Sequence, residues 1–246
     1  MSSTNKTVVV TGSSSGIGFA VAKGFLESGW NVVLNGRDAG RLQSAAKQLG
    51  PQGSIAYVVG PTSDPKTGEA LVRVARERFG NVDALVNNAG EFGFKPFLDV
   101  TVADLEHFWS VNLKGTYLTT QAVVRAMVAS GRGGSIVNIG TVLADHGVSW
   151  VTASAPLVSK GGVRALTIAL AAELAPQQLR VNAVAPGFIR TPLTAGADAV
   201  KLSRVALQAR IGEASDIFEA VRYLAESSFV TGHVLNVDGG FVTGRR

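Results

Sequence analysis

The residues best suited to chemistry lie near the start of the chain. Thr11-Gly12-Ser13-Ser14-Ser15-Gly16-Ile17-Gly18 follows the apolar triplet Val8-Val9-Val10 and opens a segment with helical apolar spacing. Glycines set between a strand and a helix have separate uses. Gly12 permits a tight turn, Gly16 lets the backbone approach a bound group, and Gly18 lets the helix pack closely on the strand. The helix N-terminus then offers free N–H groups and a partial positive charge, which favour the phosphates of a dinucleotide. A glycine-rich turn with no ligand is the plainer alternative. The strand–turn–helix context weighs against it.

Such a loop needs a sheet to hold it. Short apolar runs recur at Val8–Val10, Val32–Leu34, Ile55–Val59, Ala84–Val86, Ile136–Val137, Val181–Val184 and Val234–Leu235. Each is apolar on both faces, as buried parallel strands are. Helical patterns fill the gaps, from Gly16 to a stop at Gly29 and over about 38–49, 64–79, 101–130, 154–175 and 213–225. Asp64 reads as a helix N-cap. Strand–helix alternation with short connections predicts a single-domain, doubly wound parallel α/β sheet spanning residues 1–246, with about seven strands and helices on both faces.

Composition narrows the class. The chain has 246 residues, 46% apolar and 17% charged, which predicts a sizeable core rather than disorder. It has no cysteine, so disulfides and thiolate metal sites are excluded. No metal site is expected. The polar start, Met1 to Thr7, has no signal-like apolar region, and no apolar run approaches the roughly 20 residues of a membrane span. A cytoplasmic protein without membrane contact is expected. The net charge is +5, but Lys and Arg are scattered, and the longest basic run is Arg245-Arg246. Without a basic stripe, nucleic-acid binding is not expected. A mild positive potential suits an anionic cofactor.

The three-residue spacing between Gly12 and Gly16 resembles the short-chain dehydrogenase/reductase family, and further motifs extend the likeness along nearly the whole chain. Asn87-Asn88-Ala89-Gly90 follows the fourth strand. Asn112 stands in Val-Asn-Leu-Lys-Gly, and Ser159-Lys160 resembles the end of the family's Tyr-x-x-x-Lys motif. Asn182-Ala183-Val184-Ala185-Pro186-Gly187 resembles the loop that holds the nicotinamide. Thr231 to Gly240 resembles the C-terminal signature. The resemblance, closest in kind to 3-oxoacyl-carrier-protein reductases, implies a Rossmann-like fold, a homotetramer and a nicotinamide cofactor. It implies cofactor contacts at Gly12, Ser13, Ser14, Ser15, Gly16, Ile17 and Gly18, at Arg37, at Asn88, Ala89 and Gly90, at Lys160, and at Pro186, Gly187, Ile189 and Thr191.

The second strand ends Leu34-Asn35-Gly36-Arg37. Members preferring NAD carry an acid that accepts from the ribose 2′-hydroxyl, and here that position is Gly36. Arg37 follows, and a guanidinium grips a 2′-phosphate with charge-assisted bonds. Ser13 or Ser14 adds a hydroxyl. NADP(H) is therefore expected in preference to NAD(H), the plainer alternative being that Arg37 is an ordinary surface arginine. Where the family places an aspartate against the adenine, this chain has Pro61, which offers neither acceptor nor backbone donor.

The catalytic set has a gap. The resemblance implies a carbonyl/alcohol substrate, with Lys160 on the nicotinamide ribose, Thr141 in place of the serine that binds the substrate oxygen, and Asn112 ordering a water. The family's acid is a tyrosine four residues before the lysine, and this chain has Pro156 there. Its three tyrosines, Tyr57, Tyr117 and Tyr223, lie elsewhere, Tyr117 where the family often has a core aromatic. Losing a general acid costs about 10²–10⁴-fold. His146 and Lys160 are the candidate replacement donors, though a solvent-facing loop is the plainer reading of His146. Ser154 and Ser159 are poor acids, better read as capping or packing residues. Two functions remain open. One is an atypical NADP(H)-dependent oxidoreductase, and the other is a cofactor-binding pseudoenzyme or regulator without turnover. A non-redox enzyme in the same pocket is the weakest reading. Phe92, Phe94, Trp150 and Leu193 are candidates for an apolar substrate wall. Helical segments 101–130 and 154–175 are apolar on more than one face, which predicts an oligomer.

Overall fold

The computed structural model describes residues 5–50 and 52–244. Residues 1–4 of the polar start and the Arg245-Arg246 pair lie outside the described residues. Seven strands form one sheet: β1 (Thr7–Val10), β2 (Asn31–Gly36), β3 (Ile55–Val59), β4 (Ala84–Asn87), β5 (Gly134–Ile139), β6 (Leu179–Pro186) and β7 (Val234–Val237). Their order is β3-β2-β1-β4-β5-β6-β7, and every neighbouring pair is parallel. The chain winds outward from β1 to β3, returns to β4 beside β1, and winds the other way. Loops leaving β1 and β4 diverge, and a crevice opens between them at the carboxyl edge.

Strand alternation divides the apolar runs between two cores. Val8 and Val10 pack on one face with α1 (Gly16–Glu27), α2 (Ala39–Leu49) and α8 (Ala214–Glu226). Val9, Val33 and Leu85 pack on the other with α3 (Pro65–Phe79), α5 (Gly115–Ser130) and α6 (Ser154–Glu173). Asp38 and Asp64 cap α2 and α3, accepting from the amides of Arg41 and Lys66. Among the described residues no helix is long and apolar enough to cross a membrane.

One expected helix is not continuous. The segment 101–130 starts with a Thr101/Asp104 capping box and forms α4 (Val102–Phe108). It then widens into a turn of i→i+5 type over Trp109–Lys114 and resumes as α5. Such widened turns cluster at functional positions, and this one carries buried Asn112. Tyr117 on α5 is half exposed, so the expectation of a core aromatic there is corrected. A short helix, α7 (Ala199–Arg204), interrupts a stretch whose shape the sequence did not reveal.

Gly115 opens α5 because a Cβ there would run into the Thr62 side chain and crowd its backbone carbonyl. Gly→Ala in a helix ordinarily stabilises by about 1 kcal/mol. Here the overlap reverses the sign, and Gly115→Ala is expected to destabilise by about 1–3 kcal/mol in a urea titration.

Candidate active site

The glycine loop is clasped to the loop after β4. Thr11 Oγ1 accepts from the Asn88 and Ala89 amides, both at 3.0 Å, while Asn88 Nδ2 donates back to the carbonyls of Thr11 and Gly12, also at 3.0 Å. A Cβ on Gly12 would sit 2.8 Å from Ala89 Cα, and one on Gly18 would overlap Asn88 Nδ2. Gly12 and Gly16 both hold positive φ, 63° and 58°. The loop thus reaches the start of α1 with its backbone bare, as anion binding at a helix N-terminus requires.

The serines divide by position. Ser13 is buried, and its hydroxyl donates to Asn35 O at 3.3 Å and accepts from Asn35 N at 3.0 Å. That hydroxyl is committed to β2. Ser14 Oγ instead lies 3.6 Å from where a Gly36 Cβ would stand, so it faces the bare end of β2. Ser15 Oγ accepts from Arg41 Nη2 at 3.4 Å. Arg41 was not singled out from the sequence. The available signal was its place in the first turn after the Asp38 cap, which turns it toward the glycine loop. The peptide of Pro61 offers no donor, and Asn35 Nδ2 ties the chain before it by donating to Val58 O and Gly60 O.

Arg37 leaves the end of β2 and meets Glu91, with Nη2 2.6 Å from Oε1. The other carboxylate oxygen lies 2.7 Å from His107 Nε2. Burial would push the Glu91 carboxyl up, but hydrogen bonds from His107 and Arg37 outweigh it and hold the pKa below the ordinary value. Glu91 and His107 were also missed. Neither sits in a motif, and only folding makes them neighbours.

Two of the catalytic candidates, Asn112 and Lys160, meet at Gly90. Lys160 Nζ donates to Ile139 O at 2.8 Å. A Cβ on Gly90 would sit 2.9 Å from Asn112 Oδ1 and 3.1 Å from Lys160 Nζ, so the glycine lets both groups come close to its backbone. Lys160 keeps part of its surface, yet packing around the ammonium desolvates it and lowers its pKa to about 8. Asn112 is fully buried. Its Oδ1 accepts from Glu91 N at 2.7 Å, and its Nδ2 donates to Glu91 O at 3.0 Å and Ser159 Oγ at 2.9 Å. Ser159 donates in turn to Pro156 O at 2.7 Å. Pro156 is buried in the first turn of α6, where its missing N–H has no intrahelical partner to lose. Thr141 Oγ1 caps the short turn Val142–Ala144, accepting from Leu143 N at 3.2 Å.

Beyond β6, Gly187 packs against Asp238, where a Cβ would fall 2.8 Å from that Cα. Pro186 ends β6, and buried Ile189 bridges to Gly212. Thr191 Cβ stands 3.6 Å from a Gly16 Cβ position, so this loop closes over the glycine loop. Toward the substrate side, Trp150 stacks on Phe188 at 5.7 Å and Phe188 meets Phe241 edge-on at 5.7 Å. Phe92 and Phe94 form a separate pair at 5.5 Å. Leu193 is exposed, and Asp145 pairs with Arg164. His146 is exposed, its Nδ1 3.3 Å from Val142 O. Tyr57 and Tyr223 are exposed as well, and neither has a described contact with Lys160.

The lowered lysine pKa carries a sign. Lys160 binds its proton less tightly folded than unfolded, so its charge penalises folding below pH 8. The penalty fades as pH rises from about 8 toward 10.5. Lys160→Met is therefore expected to stabilise the cofactor-free protein by about 2 kcal/mol at pH 7, discounted for the surface that Lys160 keeps. Urea titrations across pH 7–10 check it, and the advantage of the variant is expected to shrink toward pH 10.

Residues 12–242 match the family model described as "Enoyl-(Acyl carrier protein) reductase". The chain is 37% identical over 244 residues to "L-rhamnose 1-dehydrogenase (NAD(P)(+))" of Sphingomonas sp., covering 96% of this chain and 95% of that one. It is 38% identical over 245 residues to "3-oxoacyl-[acyl-carrier-protein] reductase FabG" of Thermotoga maritima, covering 96% and 98%. A solved short-chain type dehydrogenase/reductase from Mycobacterium marinum superposes with a TM-score of 0.92 at 32% identity, over 97% of this chain and 96% of that one. The glycine loop, the Asn112–Lys160 centre and these full-length likenesses together make the chain a member of the short-chain dehydrogenase/reductase family.

Proposed function

We propose that the protein is an NAD(P)(H)-dependent oxidoreductase acting on a small carbonyl/alcohol pair, that it prefers NADP(H), and that it works without a tyrosine acid. The observation that carries this reading is the bare glycine loop clasped beside Gly90, with Lys160 Nζ across the same cleft. Relatives described as "L-rhamnose 1-dehydrogenase (NAD(P)(+))" and "NADP-dependent (R)-specific alcohol dehydrogenase" support the cofactor and the substrate class.

The residues fit a dinucleotide. Backbone N–H groups of Gly12 to Gly18 and the N-terminus of α1 would hold the diphosphate. Arg37, Ser14 and Arg41 would hold a 2′-phosphate. Asn88, Ala89 and Gly90 would form one wall, and Pro186, Gly187, Ile189 and Thr191 the other. The bound nicotinamide would supply or accept a hydride. Lys160 would hold the ribose beside it, and Thr141 would hold the substrate oxygen. Pro156 has no proton to give. The Lys160 ammonium, its pKa lowered by burial to about 8, is the candidate acid beside Gly90. Exposed His146 is less well placed.

One observation favours a second reading, a cofactor-binding protein without turnover. Pro156 is buried and its carbonyl is tied to Ser159, so the helix is settled around the proline. NADPH oxidation over a panel of ketones, aldehydes and quinones separates the two, with Pro156→Tyr run alongside. Turnover by the wild-type protein, abolished in Lys160→Met, is the expected outcome. Turnover by Pro156→Tyr alone, against a silent wild type that still binds NADPH, would establish the second reading.

Leu105 and Trp109 on the 101–130 segment and Val158 and Ile168 on α6 remain exposed. Covering them with further copies accords with a homotetramer. Sedimentation at micromolar concentration is expected to give an oligomer, and a monomeric mass would refute it.

A further inference from the structure

The sheet order sets β2 and β4 on opposite sides of β1. Arg37 immediately follows β2, and Glu91 lies in the loop after β4. Their 2.6 Å ion pair therefore spans from one flank of the glycine loop to the other, across the mouth of the crevice. It is not an incidental surface contact. The Glu91 backbone is pinned at both its N–H and its carbonyl by Asn112, so the side chain starts from a fixed point. His107 anchors the second carboxylate oxygen at 2.7 Å, which leaves the first directed at the guanidinium. The groups that face this carboxylate are Arg37 on the β2 side and the His107 ring on the α4 side. Arg41 stands beside the same crevice, on Ser15.

The Glu91 carboxylate takes Nη2 of Arg37 and offsets its charge, so a second anion arriving there meets a partly engaged guanidinium and a carboxylate of its own sign. This rests on the reading that the crevice holds a dinucleotide and that Arg37 takes its 2′-phosphate. We propose that Glu91 is a cofactor-specificity residue, whose carboxylate holds Arg37 in the cofactor-free protein and opposes the 2′-phosphate of NADP(H) there. NAD(H), which has no such phosphate, leaves the pair in place. Glu91 thus supplies from the β4 side a carboxylate that Gly36 lacks at the end of β2. It narrows the preference for NADP(H) that Arg37 alone would create. The pair is partly exposed, so the effect is modest.

Dissociation constants for NADPH and NADH test this in the full-length wild-type protein, Glu91→Gln, Arg37→Gln and the double variant. Glu91→Gln removes the charge and keeps the shape. It is expected to tighten NADPH binding about fivefold and leave NADH within about twofold. In the Arg37→Gln background the same substitution is expected to have a smaller effect on NADPH, because competition for the guanidinium is gone and only repulsion between Glu91 and the 2′-phosphate remains. Unchanged or weaker NADPH binding by Glu91→Gln overturns the proposal while the cofactor reading stands. So does an equal change for both cofactors, which would mark Glu91 as shaping the loop. A wild-type protein that binds neither dinucleotide brings down both.

Discussion

The site depends on the clasp between Thr11 and Asn88. Two parallel strands at a switch point send their loops in opposite directions, and nothing in the sheet itself holds those loops together. One hydroxyl and one carboxamide do it here, with four hydrogen bonds at 3.0 Å. The bonds demand that backbone meet backbone, and that demand selects glycine at 12 and 18. The glycines are therefore partly structural. They let the clasp close, and the closed clasp shapes the crevice in which a diphosphate would lie.

A second constraint ties the two ends of that crevice together. Asn112 spends its side chain on the Glu91 backbone and on Ser159, and Ser159 passes the connection to the carbonyl of Pro156. The widened helical turn that carries Asn112 is what brings it to this point. Below it, Asn87 donates to Thr120 and Asn138, and Asn138 to Thr167, so β4, β5, α5 and α6 share a buried polar chain in which Asn87 Oδ1 alone lacks a partner among the described residues. Partnered polar groups inside a core fix geometry more sharply than apolar packing does, because misalignment leaves a donor or acceptor unpaired. Lys160 belongs to this rigid half. Its ammonium donates to the Ile139 carbonyl, with no carboxylate partner among the described residues, and burial lowers its pKa.

The departures from the family pattern follow from the same scaffold. Proline is tolerated in the first turn of α6 because that turn has no intrahelical acceptor for its amide. Gly36 is tolerated because Ser14 and Leu42 flank it and Arg37 reaches outward to Glu91. Neither residue disturbs the sheet, so the chain keeps the family architecture with Pro156 and Gly36 in place.

Local patterns in the chain specify the sheet, its parallel sense, and the position of the glycine loop. Period and turn chemistry act over a few residues, and the seven apolar runs match the seven strands. The sequence also showed Pro156 in the lysine motif, since that spacing is local. It misread 101–130 as one helix, because the widened turn is set by what Asn112 and Gly115 touch and not by local propensity. It could not show Arg41 turned to Ser15, or the commitment of Ser13 to Asn35. Nor could it show Arg37, Glu91 and His107 as one network. Those residues are separated by tens of positions and meet only when β2, β1 and β4 lie side by side. Pairing across a sheet edge is decided by tertiary packing, and no short-range pattern in the chain encodes it.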